Sequence, residues 1–246
     1  MPIQKTEGVL LKKRDLRQTS IIATFYTSGF GKIHGVIKGV RGERAPGFGI
    51  PQLASLNQIV FYEKRKTDLF MISHCELRNF FPKIRNDFEK LTVAAYLIEL
   101  VDSLTEPLEP NQDLFLLLTE CLKFLSAGTS PKRVARIFEI KMLGISGLMP
   151  ELEACVNCSK SVEKEIYFSN ALGGVLDKDC VSKDKSAQKI LPGTHQFMTH
   201  IARANLDRVS RIKVARDVGR DLEKILRRFI DFRLEKPLKT VDFLRK

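Results

Sequence analysis

The sequence has no tryptophan, few cysteines and no long apolar run, and the last two of these scarcities narrow the class of protein. Its longest nearly uncharged apolar stretches, residues 93–100 and 114–118, are far shorter than the ~20 residues of a membrane-spanning helix, which excludes a membrane span. Residues 1–7 include charges where a signal peptide has its apolar region, so export is not expected. Five cysteines in 246 residues are too few, and odd in number, for a disulfide framework. We therefore expect a protein of the reducing cytoplasm.

The motifs of several large enzyme classes are also missing. The sequence contains no GxxxxGKS or GxxxxGKT phosphate loop, no GxGxxG after a strand and no HExxH. Its four histidines stand in no local pattern with serine, cysteine or a carboxylate that would indicate nucleophilic catalysis. Aspartates at positions 177, 179 and 184 lie close in sequence, but they sit among lysines rather than at strand ends. The sequence therefore predicts a protein that is not an enzyme and binds no nucleotide.

Positive charge is concentrated at the two ends of the chain. Lysine and arginine number 41 against 29 aspartates and glutamates, a net charge of +12. Residues 1–80 and residues 203–246 each carry a net +7, whereas residues 81–202 carry −2. Two basic ends favour a polyanionic partner, with nucleic acid the leading candidate and an acidic protein tail the next. The alternative is that the high pI only keeps the protein soluble.

The first 80 residues show the alternating pattern of β-strands. Five short runs rich in β-branched and aromatic residues are separated by turn signals, at residues 9–12, 19–26, 32–38, 58–62 and 68–77. A small antiparallel barrel of the OB type accounts for five strands, because a closed barrel leaves no exposed edge. In the fifth strand, the alternation predicts one shared face for Leu69, Met71, Ser73, Cys75 and Leu77.

From residue 85 onward, apolar residues recur at steps of three and four, which indicates helices. The first two are predicted at residues 88–101 and 112–125, and a third follows Ser130 and Pro131, an N-cap and a first-turn proline. The last is predicted as one long amphipathic helix ended by Pro237. Its apolar positions are 209, 212, 215, 218, 222, 225, 226 and 229.

Three of the five cysteines lie between the helical blocks. Cys155 and Cys158 form a CxxC knuckle, a spacing that allows two thiolates to bind one metal ion. Asp177 stands three residues before Cys180, where a second knuckle would have its first cysteine. The four side chains can close a tetrahedral structural zinc site, weaker than one with four thiolates because a carboxylate is a harder ligand. The alternatives are a zinc site lost by drift, with ordinary thiols in its place, or His195 as a further ligand.

Basic residues cluster near the ends and loops of the predicted barrel strands. OB folds hold single strands through cations that follow the phosphates and rings that stack on the bases. The barrel residues that we predict to contact DNA are Lys12, Lys13, Arg14, Arg17, Lys32, Lys38, Arg41 and Arg44. The nearby rings, each of which either stacks on a base or fills the core, are Phe25, Tyr26, Phe30 and Phe48. The last helix adds a second predicted DNA contact through Arg216, Arg220 and Arg227.

Several motifs carry a family resemblance by their order and spacing. They are, from the N-terminus, residues 31–32 (GK), 36–41 (VIKGVR), 136–143 (RIFEIKML), 147–158 (GLMPELEACVNC), 168–169 (FS), 173–174 (GG) and 237–240 (PLKT). On these motifs the chain resembles the bacterial recombination mediator family RecO over essentially its whole length.

The resemblance implies an α+β protein in which an N-terminal OB-fold β-barrel is followed by an α-helical domain with an inserted zinc-ribbon-like segment. The implied bounds are 1–80 for the barrel, 81–150 and 186–246 for the helical domain, and 151–185 for the insertion. It also implies binding of single- and double-stranded DNA, annealing of strands coated with single-strand-binding protein, and, with RecR, loading of RecA in gap repair by the RecF pathway. Zinc-bearing members of the family have cysteine where this sequence has Asp177, and other members lack the cysteines altogether.

Three basic residues in the helical middle have a separate predicted role. The acidic tail of single-strand-binding protein is expected to meet Lys132, Arg133 and Arg136 beside an apolar groove, although solvated helix charges are the alternative. No membrane partner is expected, and a role on DNA implies a cytoplasmic, nucleoid-associated protein. A competing interpretation is a zinc-ribbon nucleic-acid-binding factor in transcription or translation, which would also be basic and carry a cysteine knuckle.

Overall fold

The computed structural model describes residues 2–40, 51–62, 69–209, 212, 214–234 and 236–244. The chain divides into two compact units, Met1–Gly128 with Leu238–Lys246, and Thr129–Pro237. The domain bounds predicted at residues 80, 150 and 185 stay a prediction, while the compact units group the first helices with the barrel. Among the helices of the described residues, none is both long and apolar enough to cross a membrane.

The first unit is built on a closed five-stranded barrel. Its strands are β1 (Ile3–Leu16), β2 (Ser20–Thr27), β3 (Gly31–Ile37), β4 (Leu56–Tyr62) and β5 (Leu69–Asn79). They close in the order β1-β2-β3-β5-β4, and all neighbours are antiparallel except β3 and β5. This is the strand arrangement of an OB fold, which confirms the predicted barrel.

Closure depends on β1, which is much longer than the strand predicted there. Its first half pairs with β4 and its second half with β2, so that Gly8 and Val9 pair with both neighbours. The register against β2 shifts between Leu10 and Lys12, as in a β-bulge. A bulge bends a strand and increases its twist, and one continuous strand can therefore serve both sides of the barrel.

The barrel interior is filled by aliphatic and aromatic residues from all five strands. In β5 the inward residues are Phe70, Ile72 and Cys75, because the register against β4 skips Ser73. The single face predicted for alternate residues from 69 to 77 is therefore wrong, and Leu77 is 45% exposed. The inward residues before Ser73, Phe70 and Ile72, and the inward residue after it, Cys75, follow alternations that are offset by one residue. The extra residue reverses the side of the strand on which the following side chains lie.

Helices α1 (Pro82–Arg85), α2 (Phe88–Leu104) and α3 (Gln112–Ala127) follow the barrel. The side chains of Asp87 and Asn111 cap α2 and α3, and each accepts a hydrogen bond from an amide of the first turn, at 3.1 and 3.0 Å. Gly128 ends α3 in the left-handed conformation, with φ 97°. The two helices predicted in this segment are confirmed.

Two contacts fix these helices against β3. The Lys32 ammonium, on a side chain that is 9% exposed, donates to the backbone carbonyl of Asp102 at 2.7 Å and lies 3.6 Å from its carboxylate. The same carboxylate pairs with Lys12 on β1. Gly31, with φ 64°, lies directly against the backbone of Glu109 in the connection between α2 and α3. Because a buried ammonium without a partner is costly, Lys32 requires Asp102, and therefore α2, at this place.

The second unit combines packed helices with a small sheet. Its elements are α4 (Pro131–Ile145), β6 (Ile166–Ser169), β7 (Gly174–Leu176), β8 (Gln188–Ile190), α5 (Pro192–Arg203), α6 (Leu206–Val209) and α7 (Arg216–Arg233). The strands form an antiparallel sheet in the order β7-β6-β8, and α4, α5 and α7 pack on one another. Phe168 of β6 meets Phe229 of α7 edge to face, with ring centres 5.5 Å apart, which joins the sheet to the helices. The predicted α+β class is confirmed.

The long helix predicted over residues 209–229 is wrong, because the structure has two helices there and Ala215 is extended before α7. The reason lies in the spacing. Positions 209, 212, 215 and 218 repeat every three residues, a step that drifts by about 60° per repeat around a helix of about 3.6 residues per turn. Val209 and Val218 would therefore face opposite sides. Only from Leu222 onward do the steps mix three and four, and there one face is buried.

After Pro237 the chain returns to the first unit. Helix α8 (Val241–Leu244) packs on α2. The Glu99 carboxylate of α2 accepts hydrogen bonds from the amides of Lys239 and Thr240, both at 2.9 Å, and from the Thr240 hydroxyl at 2.5 Å. Through these hydrogen bonds, Glu99 of α2 fixes the two residues that lead into α8.

We expect Gly31→Ala to lower the free energy of unfolding by about 3 kcal/mol or more. A Cβ atom there would collide with the backbone of Glu109, and a left-handed φ costs a further ~1–2 kcal/mol. Gly39→Ala is the matched control, since Gly39 has φ 73° but a Cβ there meets no atom within 4 Å. Urea unfolding followed by circular dichroism measures both variants. Equal losses would contradict the contact between Gly31 and Glu109.

Candidate nucleic-acid interface and metal centre

Three cysteines and an aspartate meet at the end of β7 in the second unit. We call Cys155, Cys158, Asp177 and Cys180 the cysteine cluster. The first two form a knuckle, in which the amide of Val156 donates to a carbonyl of β7 at 2.9 Å and keeps the knuckle beside that strand. Asp177 directly follows β7, and Cys180 lies one turn further along the chain. Short local connections therefore bring the two ligand pairs together.

The geometry of the cysteine cluster suits a metal ion. Its four donor atoms lie within 4.8 Å of one another. Sulfur ligands about 2.3 Å from a tetrahedral metal ion are about 3.8 Å apart, so a small adjustment brings all four donors to one ion. The ligand set predicted from the sequence is thus together in space, and it can hold a metal ion. His195 is not part of the cluster, since its Nε2 pairs with the carbonyl of Leu152.

Two hydrogen bonds orient Asp177 within the cysteine cluster. Its Oδ2 accepts from the Cys158 Sγ at 2.8 Å, and its Oδ1 accepts from the Cys180 amide at 2.8 Å. The bond between thiol and carboxylate raises the pKa of Cys158 and holds the pKa of Asp177 below its usual range. Burial works against a thiolate at Cys155, but backbone hydrogen bonds outweigh it and lower the pKa of that thiol. Asp177 therefore presents an ionised oxygen to the thiol with which it would share a metal ion.

The barrel lysines predicted to contact DNA include two that serve the fold. Lys12 and Lys32 both pair with Asp102, and the Lys32 side chain is 9% exposed. The Lys13 ammonium donates to the backbone carbonyl of Pro51 at 3.1 Å. Because the Lys32 ammonium is buried against α2, it supports the packing of the first unit, and we leave it out of the proposed DNA surface.

Three other predicted residues are exposed together at one end of the barrel. We call Arg14, Arg17 and Lys38 the basic barrel end. Arg14 lies near the end of β1, Arg17 occupies the turn into β2 with φ 55°, and Lys38 directly follows β3. These places coincide because β1 and β3 both run antiparallel to β2. Arg41 and Arg44, also predicted to contact DNA, lie outside the described residues.

The aromatic residues predicted near the basic residues of the barrel belong to the fold. Phe25 and Tyr26 are fully buried, and Phe30 packs edge to face on Phe61 with ring centres 5.2 Å apart. Phe48 lies outside the described residues. The basic barrel end therefore offers cations for phosphates, whereas none of these three described rings is exposed as a stacking surface.

A second basic site lies in the second unit, where a cavity of about 440 Å³ is lined by the starts of α4 and α7. We call its five lining cations the cation pocket: Lys132, Arg133, Arg136, Arg216 and Arg220. The structure thus brings together residues that the sequence assigns to two different partners. Arg227, the third predicted contact on α7, does not line this cavity and pairs with Asp231, with Nε 2.9 Å from Oδ2.

Two family profiles cover nearly the whole chain. The profile of the recombination protein O N terminal matches residues 1–81, and that of the recombination protein O C terminal matches residues 85–242. The chain belongs to the RecO family. The resemblance seen in the motifs is therefore confirmed, and membership gives the chain a role in DNA repair.

Curated relatives of the RecO family agree over full length. The DNA repair protein RecO of Desulforamulus reducens is 35% identical over 245 residues, which cover 99% of this chain and 94% of the relative. That of Caldicellulosiruptor saccharolyticus is 31% identical over 245 residues, covering 100% and 99%. That of Acetivibrio thermocellus is 29% identical over 242 residues, covering 98% and 96%.

Some residues of these sites cannot be assigned to them from the sequence. Asp102 pairs with Lys12 and Lys32, which were both predicted to contact DNA. No sequence pattern in its helix, α2, indicates that it pairs with the barrel. Phe197, Leu222 and Glu223 line the cavity of the cation pocket but come from helices distant in sequence from α4. Helical periodicity marks the first two as apolar positions, yet it does not say which helix they face.

Proposed function

We propose that this RecO-family protein is a recombination mediator that binds single- and double-stranded DNA and anneals complementary strands coated with single-strand-binding protein. With RecR it helps to load RecA in gap repair by the RecF pathway, without catalysis of its own, in the cytoplasm at the nucleoid. The observation that carries the proposal is the basic barrel end, Arg14, Arg17 and Lys38, on an OB-fold barrel.

The chemistry of annealing supports this proposal. Two strands can pair only if their phosphate charges are partly neutralised, and lysine and arginine do so by releasing condensed counterions. The basic barrel end offers cations, and Phe25, Tyr26 and Phe30 are packed into the fold. A strand held there through its phosphates keeps its bases free for a complementary strand. The cation pocket in the second unit gives a separate place for an anion. Two basic places in one chain suit a reaction with two polyanionic substrates.

We further propose that the acidic tail of single-strand-binding protein docks at the cation pocket. Lys132, Arg133 and Arg136 supply charges for its carboxylates, while Phe197 and Leu222 line the same cavity with apolar surface. An acidic and apolar peptide needs both kinds of contact in one place.

We also propose that the ion of the cysteine cluster is Zn²⁺ in a structural role. Thiolates favour zinc over harder divalent ions, and four protein ligands leave no open position for water. When bound, the ion would tie the knuckle to the turn after β7, where the strands are short and the local core is small.

Annealing of complementary oligonucleotides, each coated beforehand with cognate single-strand-binding protein, tests the function. We expect this protein to accelerate annealing without any nucleotide. Tight DNA binding without acceleration would instead favour the zinc-ribbon factor of transcription or translation. A competition assay among unrelated single strands would then show whether the protein reads a defined sequence.

The double variant Arg17→Glu, Lys38→Glu is expected to bind single-stranded DNA about tenfold more weakly at low salt, because two phosphate contacts are lost. The slope of log affinity against log salt should become shallower by about 1.4, since each contact on a single strand contributes about 0.7. Lys5→Glu is the matched control, an exposed lysine near the start of β1. Fluorescence anisotropy over a salt series measures both quantities. An unchanged slope in the double variant would show that the basic barrel end does not hold DNA.

Asp177→Cys is expected to tighten Zn²⁺ binding, and Asp177→Ala to weaken it by at least about tenfold, since even an outer partner of a metal ligand is worth that much. Competition with a chromophoric chelator gives the affinity and the stoichiometry. Asp179→Cys is the matched control, because it adds a thiol to the same turn outside the cysteine cluster. If Asp177→Cys and Asp179→Cys changed the affinity equally, Asp177 would not be a ligand.

A further inference from the structure

The cation pocket joins residues from two predicted surfaces in one cavity. Lys132, Arg133 and Arg136 belong to the proposed site for an acidic tail, whereas Arg216 and Arg220 were predicted to contact DNA. Among the residues that line the cavity, Glu223 is the one acidic side chain. A peptide carboxylate and a DNA phosphate that enter this cavity of about 440 Å³ would bind to the same cations.

Arg136 is a largely buried cation of the pocket. Its side chain is 11% exposed, and one terminal nitrogen pairs with the Glu139 carboxylate at 2.9 Å. The other terminal nitrogen, Nη1, is buried and makes no hydrogen bond. A guanidinium nitrogen in this state is costly, and a carboxylate that enters the cavity is the group best suited to satisfy it.

The helix starts add positive potential to the same cavity. Ser130 and Ala215, the N-cap residues of α4 and α7, both line it, and neither makes a side-chain capping hydrogen bond. The first amides of a helix have no partner within the helix, and the N-terminal end carries positive partial charge. Phe197 and Leu222 complete the lining with apolar surface. Charge and apolar contact together favour an acidic peptide that ends in a free carboxylate.

Arg216 and Arg220 are more exposed than Arg136 and lie where a phosphate backbone can reach them. On α7 they form a stripe with Arg227, which lies about 16 Å beyond Arg216 along the helix and pairs with Asp231. The DNA contact predicted for α7 is therefore strongest at the pocket, where the tail would also bind.

We propose that the acidic tail, when it occupies the cation pocket, withdraws Arg216 and Arg220 from DNA, so that tail docking and DNA binding on α7 exclude each other. This inference rests on the proposed function, which supplies both ligands. A strand held at the second unit is then released when a tail arrives, while the basic barrel end keeps its own strand. Mutual exclusion thus couples recognition of coated DNA to the release of one strand.

The test uses the full-length protein, a fluorescent single-stranded oligonucleotide and a synthetic aspartate-rich peptide with an apolar, free C-terminal end. At saturating peptide we expect weaker DNA binding and a salt slope shallower by about 1.4, for two lost phosphate contacts. Saturating DNA should weaken peptide binding by the same factor, since coupling between two ligands is reciprocal. The same peptide with an amidated C-terminus should compete less, because it lacks the carboxylate for Arg136.

Variants on α7 separate the pocket from general charge. Arg220→Glu should weaken DNA binding and lower the effect of the peptide on the salt slope from about 1.4 to about 0.7, because only Arg216 is left for the peptide to withdraw. Arg228→Glu, an exposed arginine of the same helix outside the cavity lining, should keep that effect. If the two variants behaved alike, competition would be a matter of overall charge and the proposal would be overturned.

The possible failures are distinguishable. DNA and peptide that bind together without affecting each other would overturn the mutual exclusion and leave the proposed function intact. A peptide that does not bind would remove the tail from this pocket, again without touching DNA binding. A protein that binds no DNA under any of these conditions would overturn both proposals.

Discussion

The buried ammonium of Lys32 sets where the helices of the first unit lie. A charged group inside the packed wall of a barrel needs an anion and hydrogen-bond acceptors close by, and Asp102 supplies both a carboxylate and a carbonyl. Once α2 is placed at β3, its connection to α3 passes over Gly31, where there is no room for a side chain. The barrel that carries the basic barrel end is therefore supported from the side by α2 and by the connection to α3.

The barrel was predictable because its signals are local. The alternation of side chains within each strand and the turn residues between strands can be recognised in the sequence. Five such strands can be arranged without open edges in only a few ways. The phase change in β5 was not predictable, since the extra residue at Ser73 depends on the register with β4. Lys32 looked like a surface cation for a similar reason, because Asp102 lies 70 residues away along the chain. Burial of a charge is decided by a partner that sequence patterns do not reveal.

The two candidate sites also differ in how far the sequence could predict them. The cysteine cluster could be predicted because each ligand pair is a short local motif and a hairpin joins them. The cation pocket could not, because it forms between helix starts more than 80 residues apart. Charge patterning gives the sign of a partner but not the place where it binds. The break before α7 matters here as well, since one continuous helix would have placed Arg216 in its middle, whereas in the structure Arg216 opens α7 beside α4.

Glu99 of α2 binds residues of the first unit that are translated only after the whole second unit. Its partners at Lys239 and Thr240 are 140 and 141 residues downstream, with the whole second unit in between. At translation rates of about 5–20 residues per second, roughly 7–28 s pass between synthesis of the two sides of this contact. During that time the Glu99 carboxylate of α2 lacks its three hydrogen bonds to Lys239 and Thr240. The first unit is thus begun before the second unit is translated, and it gains its contacts at Glu99 only after the second unit has been translated.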